Sequence, residues 1–219
     1  KTSLCEFLQA WYLTRHDNLL VKQDNDGKIT ILSKDSNKPI SKTKQQKLLT
    51  QASKTTKIYS FADSLKKLVC NQILGIPLEN LYGTDEQKNT LTNFYWENMP
   101  GNIPFLYSNQ HETISSTITL PKIGRMTARE VMQVTGTDIF RKCFSDSVWV
   151  DSTFRLINND IEKPQIVFIP DVRFPSEVNA IIENNGKIIR LGRKTTDDKH
   201  LSETSLDDFD FDKLVSNCI

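Results

Sequence analysis

The spacing of apolar residues predicts the first elements of the chain. An amphipathic helix is predicted over residues 1–13, because apolar side chains recur there at the spacing of one helical face. These side chains are Leu4, Leu8, Trp11 and Tyr12. Residues 19–33 contain two strand-like runs around the turn sequence DNDG at 24–27, and they predict a β-hairpin.

A short strand and a helix are predicted next. The run KIYS at 57–60 has strand character, and Ser60 followed by Asp63 is typical of a helix start. The apolar face of this helix consists of Leu65, Leu68, Val69 and Ile73. Gly75 and Pro77 are expected to end the helix.

A capping box gives a more specific local signal. Thr127 is followed three residues later by Glu130, the spacing at which two side chains cap a helix N-terminus reciprocally. We therefore predict a helix over residues 128–143, with Gly136 as the point where it could be interrupted.

The second half of the chain predicts parallel β-structure. IVFI at 166–169 is a continuous apolar run, as in a strand that is buried on both faces. A helical segment follows it, and KIIRL at 187–191 predicts a second strand. Strand, helix and strand in this order predict a right-handed parallel βαβ unit, and hence an α/β fold.

Two segments show neither a helical nor a strand pattern. Residues 34–57 carry seven lysines against one acid, and we predict that they form a mobile surface connection. Residues 76–126 contain several prolines and glycines around a group of aromatic residues. We interpret residues 76–126 as a lid or substrate-side insertion within a single domain of residues 1–219.

Composition excludes several classes of protein. With 37% hydrophobic and 25% charged residues, the chain of 219 residues has neither a disordered nor a fibrous composition. No apolar run approaches the roughly 20 residues that cross a membrane. The four cysteines are far apart and form no C-x-x-C pair, so neither a zinc site nor a disulfide framework is expected. A cytoplasmic location and no membrane partner are expected, because no secretion leader is apparent.

The net charge of +1 hides an uneven distribution of charge. Residues 197–212 carry seven acids against one lysine, opposite in sign to residues 34–57. Seven of the eight arginines lie between positions 125 and 193. Because guanidinium groups bind phosphate oxygens in pairs, this stretch indicates phosphate recognition, with ordinary surface arginines as the alternative.

Polar residues follow the predicted strand at 166–169. Ligands bind at the carboxyl ends of parallel strands, which is where Asp171 is expected. Its carboxylate could orient magnesium-bound water or accept a proton from a substrate hydroxyl, or it could be a turn or helix-capping residue. Arg173 and Glu177 follow closely, and Glu177 could equally be a first-turn acid favoured by the helix dipole.

The first residues also have a pattern that bears on phosphate binding. In a P-loop, G-x-x-x-x-G-K-[ST], the lysine reaches the β- and γ-phosphates and the hydroxyl binds magnesium. Here Lys1 and Thr2 stand directly at a predicted helix start, as they would if a glycine loop preceded them. Any helix can begin with Lys-Thr, so this signal is weak by itself.

Several sequence blocks in the same order resemble the deoxynucleoside monophosphate kinases of tailed bacteriophages. The blocks are FADSLK (61–66), MTAREVMQVTGTDIFRKCF (126–144), VW (148–149), DVRFPSE (171–177), KIIRLGRK (187–194) and HLSE (200–203). The resemblance implies a P-loop three-layer α/β sandwich with a mostly parallel central sheet and a helical lid. It also implies transfer of the γ-phosphoryl of ATP to a deoxynucleoside 5′-monophosphate, with Mg²⁺.

The resemblance also implies roles at the N-terminus. Lys1 matches the P-loop lysine that contacts ATP, and Thr2 or Ser3 would supply the hydroxyl for magnesium. Relatives often have Gly-Lys-Asp-Thr where this chain has Lys1-Thr2-Ser3, so the identity of that hydroxyl stays open. Residues are expected to precede Lys1 and to follow Ile219.

Further positions match substrate contacts of the family. They are Lys66, Arg129, Gly136, Thr137, Trp149, Asp171, Arg173 and Glu177. Arg129 offers a bidentate phosphate clamp, Gly136 would allow close approach of the nucleotide, and Trp149 is a stacking face or a core residue. Lys66 could reach the substrate phosphate or could be a solvated helix residue, and Asp171 is expected near the sugar or the metal.

Two arginines are candidates for stabilising the transferring phosphoryl group. Arg141 and Arg193 could neutralise its charge, with Arg193 also near ATP, and surface salt bridges are the alternative. The resemblance also includes His200, Ser202 and Glu203, for which the sequence indicates no role.

Two other functions remain open from sequence. A P-loop kinase could act on a nucleoside or another phosphorylated metabolite. A nucleic-acid-binding module could use residues 34–57, but no aromatic residue lies there for base stacking, so no stable nucleic-acid partner is expected. The accepted bases, the preference for deoxyribose and the oligomeric state, including a homodimer, also stay open.

Overall fold

A computed structural model describes residues 2–15, 17–99, 122–190, 205–206 and 209–210, with the backbone alone for Thr2 and Ser3. The chain groups into two compact units. The first contains residues 1–63 and 149–191, and the second contains residues 64–148 and 192–219. Most of the second unit is therefore inserted into the sequence of the first.

The first unit begins with a helix and a hairpin. Helix α1 (Thr2–Thr14) precedes strand β1 (Leu19–Gln23), which pairs antiparallel with β2 (Ile29–Ser33). Both elements confirm the predictions for residues 1–33. Apolar side chains of α1 and the hairpin form one buried cluster, which consists of Ala10, Leu19, Val21 and Ile31.

The lysine-rich segment forms a helix, so the prediction of a mobile connection is wrong. Helix α2 (Lys42–Thr55) begins at Ser41, whose side chain accepts a hydrogen bond from the backbone N–H of Lys44. Leu48 and Leu49 pack against the buried cluster of the first unit. Lysine is a good helix former, and these few apolar residues on one face anchor the helix although most of its residues are polar.

The parallel strands of this unit pair differently from the sequence prediction. Strand β3 (Thr56–Ile58) pairs in parallel with β6 (Ile166–Phe168), so that Lys57 lies opposite Val167. Residues 187–190 form no strand, and the prediction of a βαβ unit ending in KIIRL is wrong over these residues. A strand needs a hydrogen-bonding partner, and Ile189 is exposed instead of being covered by a neighbouring element.

Two further helices complete the described part of the first unit. Helix α6 (Val148–Asn158) buries Trp149, Val150 and Thr153, and α7 (Pro175–Glu183) buries Val178. The rings of Phe61 and Phe154 lie 6.4 Å apart between centroids, next to this buried face.

The second unit begins with helices and a pair of antiparallel strands. The predicted helix after Ser60 is present as a π-helix (Ser64–Ile73), and two short helices follow, α3 (Leu78–Tyr82) and α4 (Asp85–Lys88). Strand β4 (Leu91–Tyr95) pairs antiparallel with β5 (Arg125–Thr127), a pairing that the sequence did not predict. Residues 100–121 of the expected lid lie outside the described residues.

The helix predicted from the capping box is present. Helix α5 (Ala128–Gln133) continues directly into a π-helical segment (Val134–Arg141) without interruption at Gly136. Thr127 and Glu130 form both hydrogen bonds of the capping box. A Cβ atom at Gly136 would lie 2.6 Å from Cδ2 of Leu65, so the absence of a side chain lets this helix pack closely against the π-helix at residues 64–73.

The two units together define a mixed α/β protein, which confirms the predicted class. Among the residues that the structure describes, the six strands form three two-stranded sheets, and the β3–β6 pair is the parallel one. None of the described helices has the length and apolar character needed to cross a membrane.

Candidate active site

Asp171 lies at the carboxyl end of β6, where the sequence predicted it. Its Oδ2 accepts hydrogen bonds from the Ser60 hydroxyl at 2.6 Å and from the Ala62 backbone N–H at 3.0 Å. Its Oδ1 accepts one from the Phe61 N–H at 3.1 Å. The carboxylate therefore fixes the loop after β3 to the loop after β6, which are the two loops at the carboxyl ends of the parallel pair.

Glu177 holds the next part of the same loop. Its side chain is buried, with 2% of the residue exposed. Oε2 accepts hydrogen bonds from the backbone N–H groups of Arg173 at 2.6 Å and Phe174 at 3.2 Å. These contacts match the alternative of a first-turn acid, because they satisfy N–H groups at the start of α7. A direct contact of Glu177 with substrate stays a prediction.

Arg129 lies in the first turn of α5, in the second unit. The capping box fixes the start of this helix, and the buried neighbours Ala128 and Val131 anchor it. The guanidinium Nη2 lies 2.5 Å from Oδ1 of Asp85, and Nε donates to Oδ1 of Asn89 at 3.3 Å. The Arg129 side chain is 31% exposed, so it can also meet a ligand from solvent.

Arg141 is buried, and it forms a salt bridge, the alternative considered from sequence, with the exposed carboxylate of Asp146. Its side chain is 5% exposed, and Nη1 donates to the backbone oxygen of Asp146 at 2.7 Å and to its carboxylate at 3.2 Å. These bonds tie the end of the π-helical segment to the loop that precedes α6. The described contacts of Arg141 thus stabilise the backbone, and a role in phosphoryl transfer stays a prediction.

The contacts of other predicted substrate residues include packing and cation–π contacts. Lys66 Nζ lies 4.5 Å from the centroid of the Tyr82 ring, a cation–π distance. Gly136 and Thr137 are buried, and the close approach at Gly136 involves Leu65. Trp149 is 6% exposed, as expected for the alternative of a core residue.

Several predicted site residues cannot be placed. Lys1, Arg193, His200, Ser202 and Glu203 lie outside the described residues, as do the side chains of Thr2 and Ser3. The helix predicted to follow the P-loop lysine is present as α1.

The sequence did not indicate an ionic cluster in the first unit. Lys57 Nζ lies 2.6 Å from Asp160 Oδ2 and 2.6 Å from Glu162 Oε2, and the Tyr59 hydroxyl donates to Asp160. The bond from Lys57, followed by that from Tyr59, lowers the pKa of Asp160 to about 2. Asp160 and Glu162 raise the pKa of Lys57, while burial and then the bond to Asp160 raise the pKa of Tyr59. More than 100 residues separate Lys57 from Asp160, so no local pattern reveals this cluster.

The described residues do not assemble a magnesium site by themselves. They contain no group of three or more His, Cys, Asp or Glu side chains placed to hold a metal ion. Asp171 Oδ2 already accepts two hydrogen bonds, so this oxygen does not fit as a metal ligand in the arrangement seen.

Two features of the described residues, one in each unit, bear on the binding of anionic substrates. An arginine at a helix start pairs with a carboxylate, and a second carboxylate orders the loops at the carboxyl ends of parallel strands. A family model described as deoxynucleotide monophosphate kinase matches residues 86–218. The chain belongs to this family.

A curated relative agrees with the family match. A protein of Acanthamoeba polyphaga mimivirus named "Putative deoxynucleotide monophosphate kinase" is 30% identical over 159 residues, which cover 67% of each chain. No solved structure matches the chain. The sequence prediction of a deoxynucleoside monophosphate kinase, an ATP-dependent phosphotransferase, is confirmed at the level of the family.

Proposed function

We propose that this protein transfers the γ-phosphoryl of ATP to the 5′-phosphate of a deoxynucleoside monophosphate, and that Arg129 binds the acceptor phosphate. The product of this reaction is the deoxynucleoside diphosphate. Phosphoryl transfer requires little covalent chemistry from the protein, so its residues act mainly by positioning groups and neutralising charge.

The geometry of Arg129 carries this proposal. Its Nε and Nη2 atoms, which form one edge of the guanidinium, both contact side-chain oxygens. The same edge suits two oxygens of a phosphate, which arginine binds in bidentate fashion. The capping box holds the backbone of this turn, so the arginine is presented from a fixed position.

Asp171 is proposed to order the loops around it and to contact the deoxyribose. Its bonds to Ser60, Phe61 and Ala62 fix the loop that leads into the π-helix at residues 64–73. Oδ1 accepts only one described hydrogen bond, which leaves it room to accept another from a sugar hydroxyl. Asp171 thus combines a positioning role with a proposed contact to the deoxyribose.

ATP is proposed to bind at the N-terminal end of α1. Lys1 would contact its phosphates, and Thr2 or Ser3 would meet the magnesium that accompanies them. Helix α1, together with the parallel β3–β6 pair, supports a P-loop sandwich, whose lid would be formed by residues 76–126. The Arg141 side chain is buried and already pairs with Asp146. We therefore propose Arg193 as the residue that stabilises the transferring phosphoryl group.

The assay is ADP production by the full-length protein with ATP, magnesium and each of dGMP, dTMP, dCMP and dAMP, together with the ribose equivalents. Turnover with one or more deoxynucleotides supports the proposal and defines the range of bases. If no monophosphate is phosphorylated, the acceptor assignment fails and other phosphorylated metabolites become the substrates to test.

The role of Arg129 is tested by substitution. Arg129→Ala should raise the KM for the monophosphate and lower kcat, because both donors of one guanidinium edge are lost. Arg129→Lys keeps the positive charge but lacks the two parallel N–H donors of the guanidinium, so it should restore only part of the lost activity. Arg155→Ala is a control at an exposed arginine on α6. Unchanged kinetics in Arg129→Ala would refute the assigned role.

A further inference from the structure

We infer that Asp85 occupies the phosphate-binding edge of Arg129 in the free enzyme and must be displaced by the acceptor phosphate. This inference rests on the proposed function, because it takes Arg129 as the phosphate-binding residue. It assigns a role to a residue that lies just before the matched family region of residues 86–218.

Asp85 and Asn89 contact one edge of the Arg129 guanidinium. Asp85 and Asn89 take the two donors of a single edge, Nη2 and Nε. Nη1 has no partner among the described residues. A phosphate bound in bidentate fashion at the Nε–Nη2 edge needs both of these donors, so it competes with Asp85 for Nη2.

Asp85 and Asn89 lie at the two ends of one short helix. Asp85 is the first residue of α4, and Asn89 follows the last residue of the same short helix. Thr84 and Gln87 form a capping box that fixes the start of α4. Both oxygens that face Arg129 therefore come from one small element, and this element holds the arginine when no phosphate is bound.

The ion pair between Asp85 and Arg129 is weak because Asp85 is exposed. The Asp85 side chain is 85% exposed, and ion pairs between exposed groups contribute little to stability because water screens them. A phosphate dianion brings more charge and more acceptor oxygens than the carboxylate. The acceptor phosphate can thus replace Asp85. Because the ion pair must be broken first, Asp85 lowers the affinity of Arg129 for the phosphate by a small amount.

The test is Asp85→Asn, with Glu86→Gln as its matched control. Glu86 lies in the same first turn of α4, is also exposed and has no described contact with Arg129. We expect Asp85→Asn to lower the KM for the deoxynucleoside monophosphate about two- to fivefold, the range that an exposed ion pair allows. Glu86→Gln should leave KM unchanged.

An opposite result would overturn the inference. If Asp85 instead orients Arg129 for binding, Asp85→Asn raises KM. If the pair has no functional role, KM stays the same. In an Arg129→Ala background, Asp85→Asn should have no effect on KM, and a persisting effect would also contradict the inference.

A binding measurement separates this inference from the proposed function. Calorimetric titration with inorganic phosphate reports on the Arg129 edge without turnover, and Asp85→Asn should tighten binding about two- to fivefold. If no monophosphate is phosphorylated but this tightening is seen, the acceptor assignment fails and the competition stands. If phosphate binds neither wild type nor variant, the competition is refuted.

Discussion

Replacing Asp171 by Asn tests whether this residue holds together the loops at the carboxyl ends of β3 and β6. The carboxylate accepts from three donors, the Ser60 hydroxyl and the N–H groups of Phe61 and Ala62. An asparagine has the same shape but one acceptor atom and one donor group. One of the two backbone N–H groups must then face the amide NH₂, because Phe61 and Ala62 bind different oxygens.

The expected cost follows from this mismatch. A hydrogen bond to a charged group contributes about 1.5–3 kcal/mol, and an unsatisfied buried donor costs about 1–3 kcal/mol. Since the Asn side chain keeps some of the bonds, we expect Asp171→Asn to lower the free energy of unfolding by about 1–3 kcal/mol. For a chain of this size each kcal/mol corresponds to roughly 2–4 °C in Tm.

Denaturant unfolding of the variants provides the assay. Ser60→Ala removes one donor and should cost less than Asp171→Asn, while Glu183→Gln is a control at an exposed acid near the end of α7. In the double variant the loss should be smaller than the sum of the single losses, because both act on one interaction. An Asp171→Asn protein that is as stable as wild type would refute the argument that the carboxylate holds the two loops.

Two further predictions concern the ionic cluster and the close helix contact. Asp160, with its pKa lowered to about 2, stabilises the folded state above its unfolded pKa of about 3.9, and this contribution disappears as the pH falls through about 2. Wild type should therefore lose stability more steeply than Asp160→Asn between about pH 4 and pH 2 in denaturant unfolding, and parallel curves would contradict this. Gly136→Ala places a Cβ atom 2.6 Å from Leu65 Cδ2 and should destabilise the protein, whereas in a Leu65→Ala background it should be neutral or stabilising by up to about 1 kcal/mol. A penalty of equal size in both backgrounds would show that this contact is not its cause.

Local sequence patterns predicted an element correctly where its hydrogen-bonding partners lie close together in the sequence. The capping box of Thr127 and Glu130 involves residues three positions apart, and the hairpin of β1 and β2 is closed by a short turn. Such elements obtain their defining hydrogen bonds from their own neighbourhood, so the sequence is enough to place them.

Patterns failed where tertiary partners decide the structure. The many lysines of α2 led to the prediction of a mobile connection. Leu48 and Leu49 anchor the helix by packing against the cluster formed by α1 and the β1–β2 hairpin, a contact that the local sequence does not show. The apolar run at 187–191 suggested a strand, but residues 187–190 form none and the described partner of β6 is β3. Strand propensity reflects packing on a sheet and does not identify a strand by itself.

The carboxylates of Asp171 and Asp85 show why residue type alone does not give a role. Asp171 accepts three hydrogen bonds, two of them from backbone N–H groups, so releasing it would leave several donors unsatisfied. Asp85 is almost fully exposed and makes one ion pair with Arg129, so releasing it costs little. The first carboxylate is thus suited to holding its loops in place, and the second is suited to the exchange with phosphate that we propose. Stability should separate the two residues: Asp171→Asn should lower the free energy of unfolding, whereas Asp85→Asn should lower the KM for the monophosphate with little change in stability.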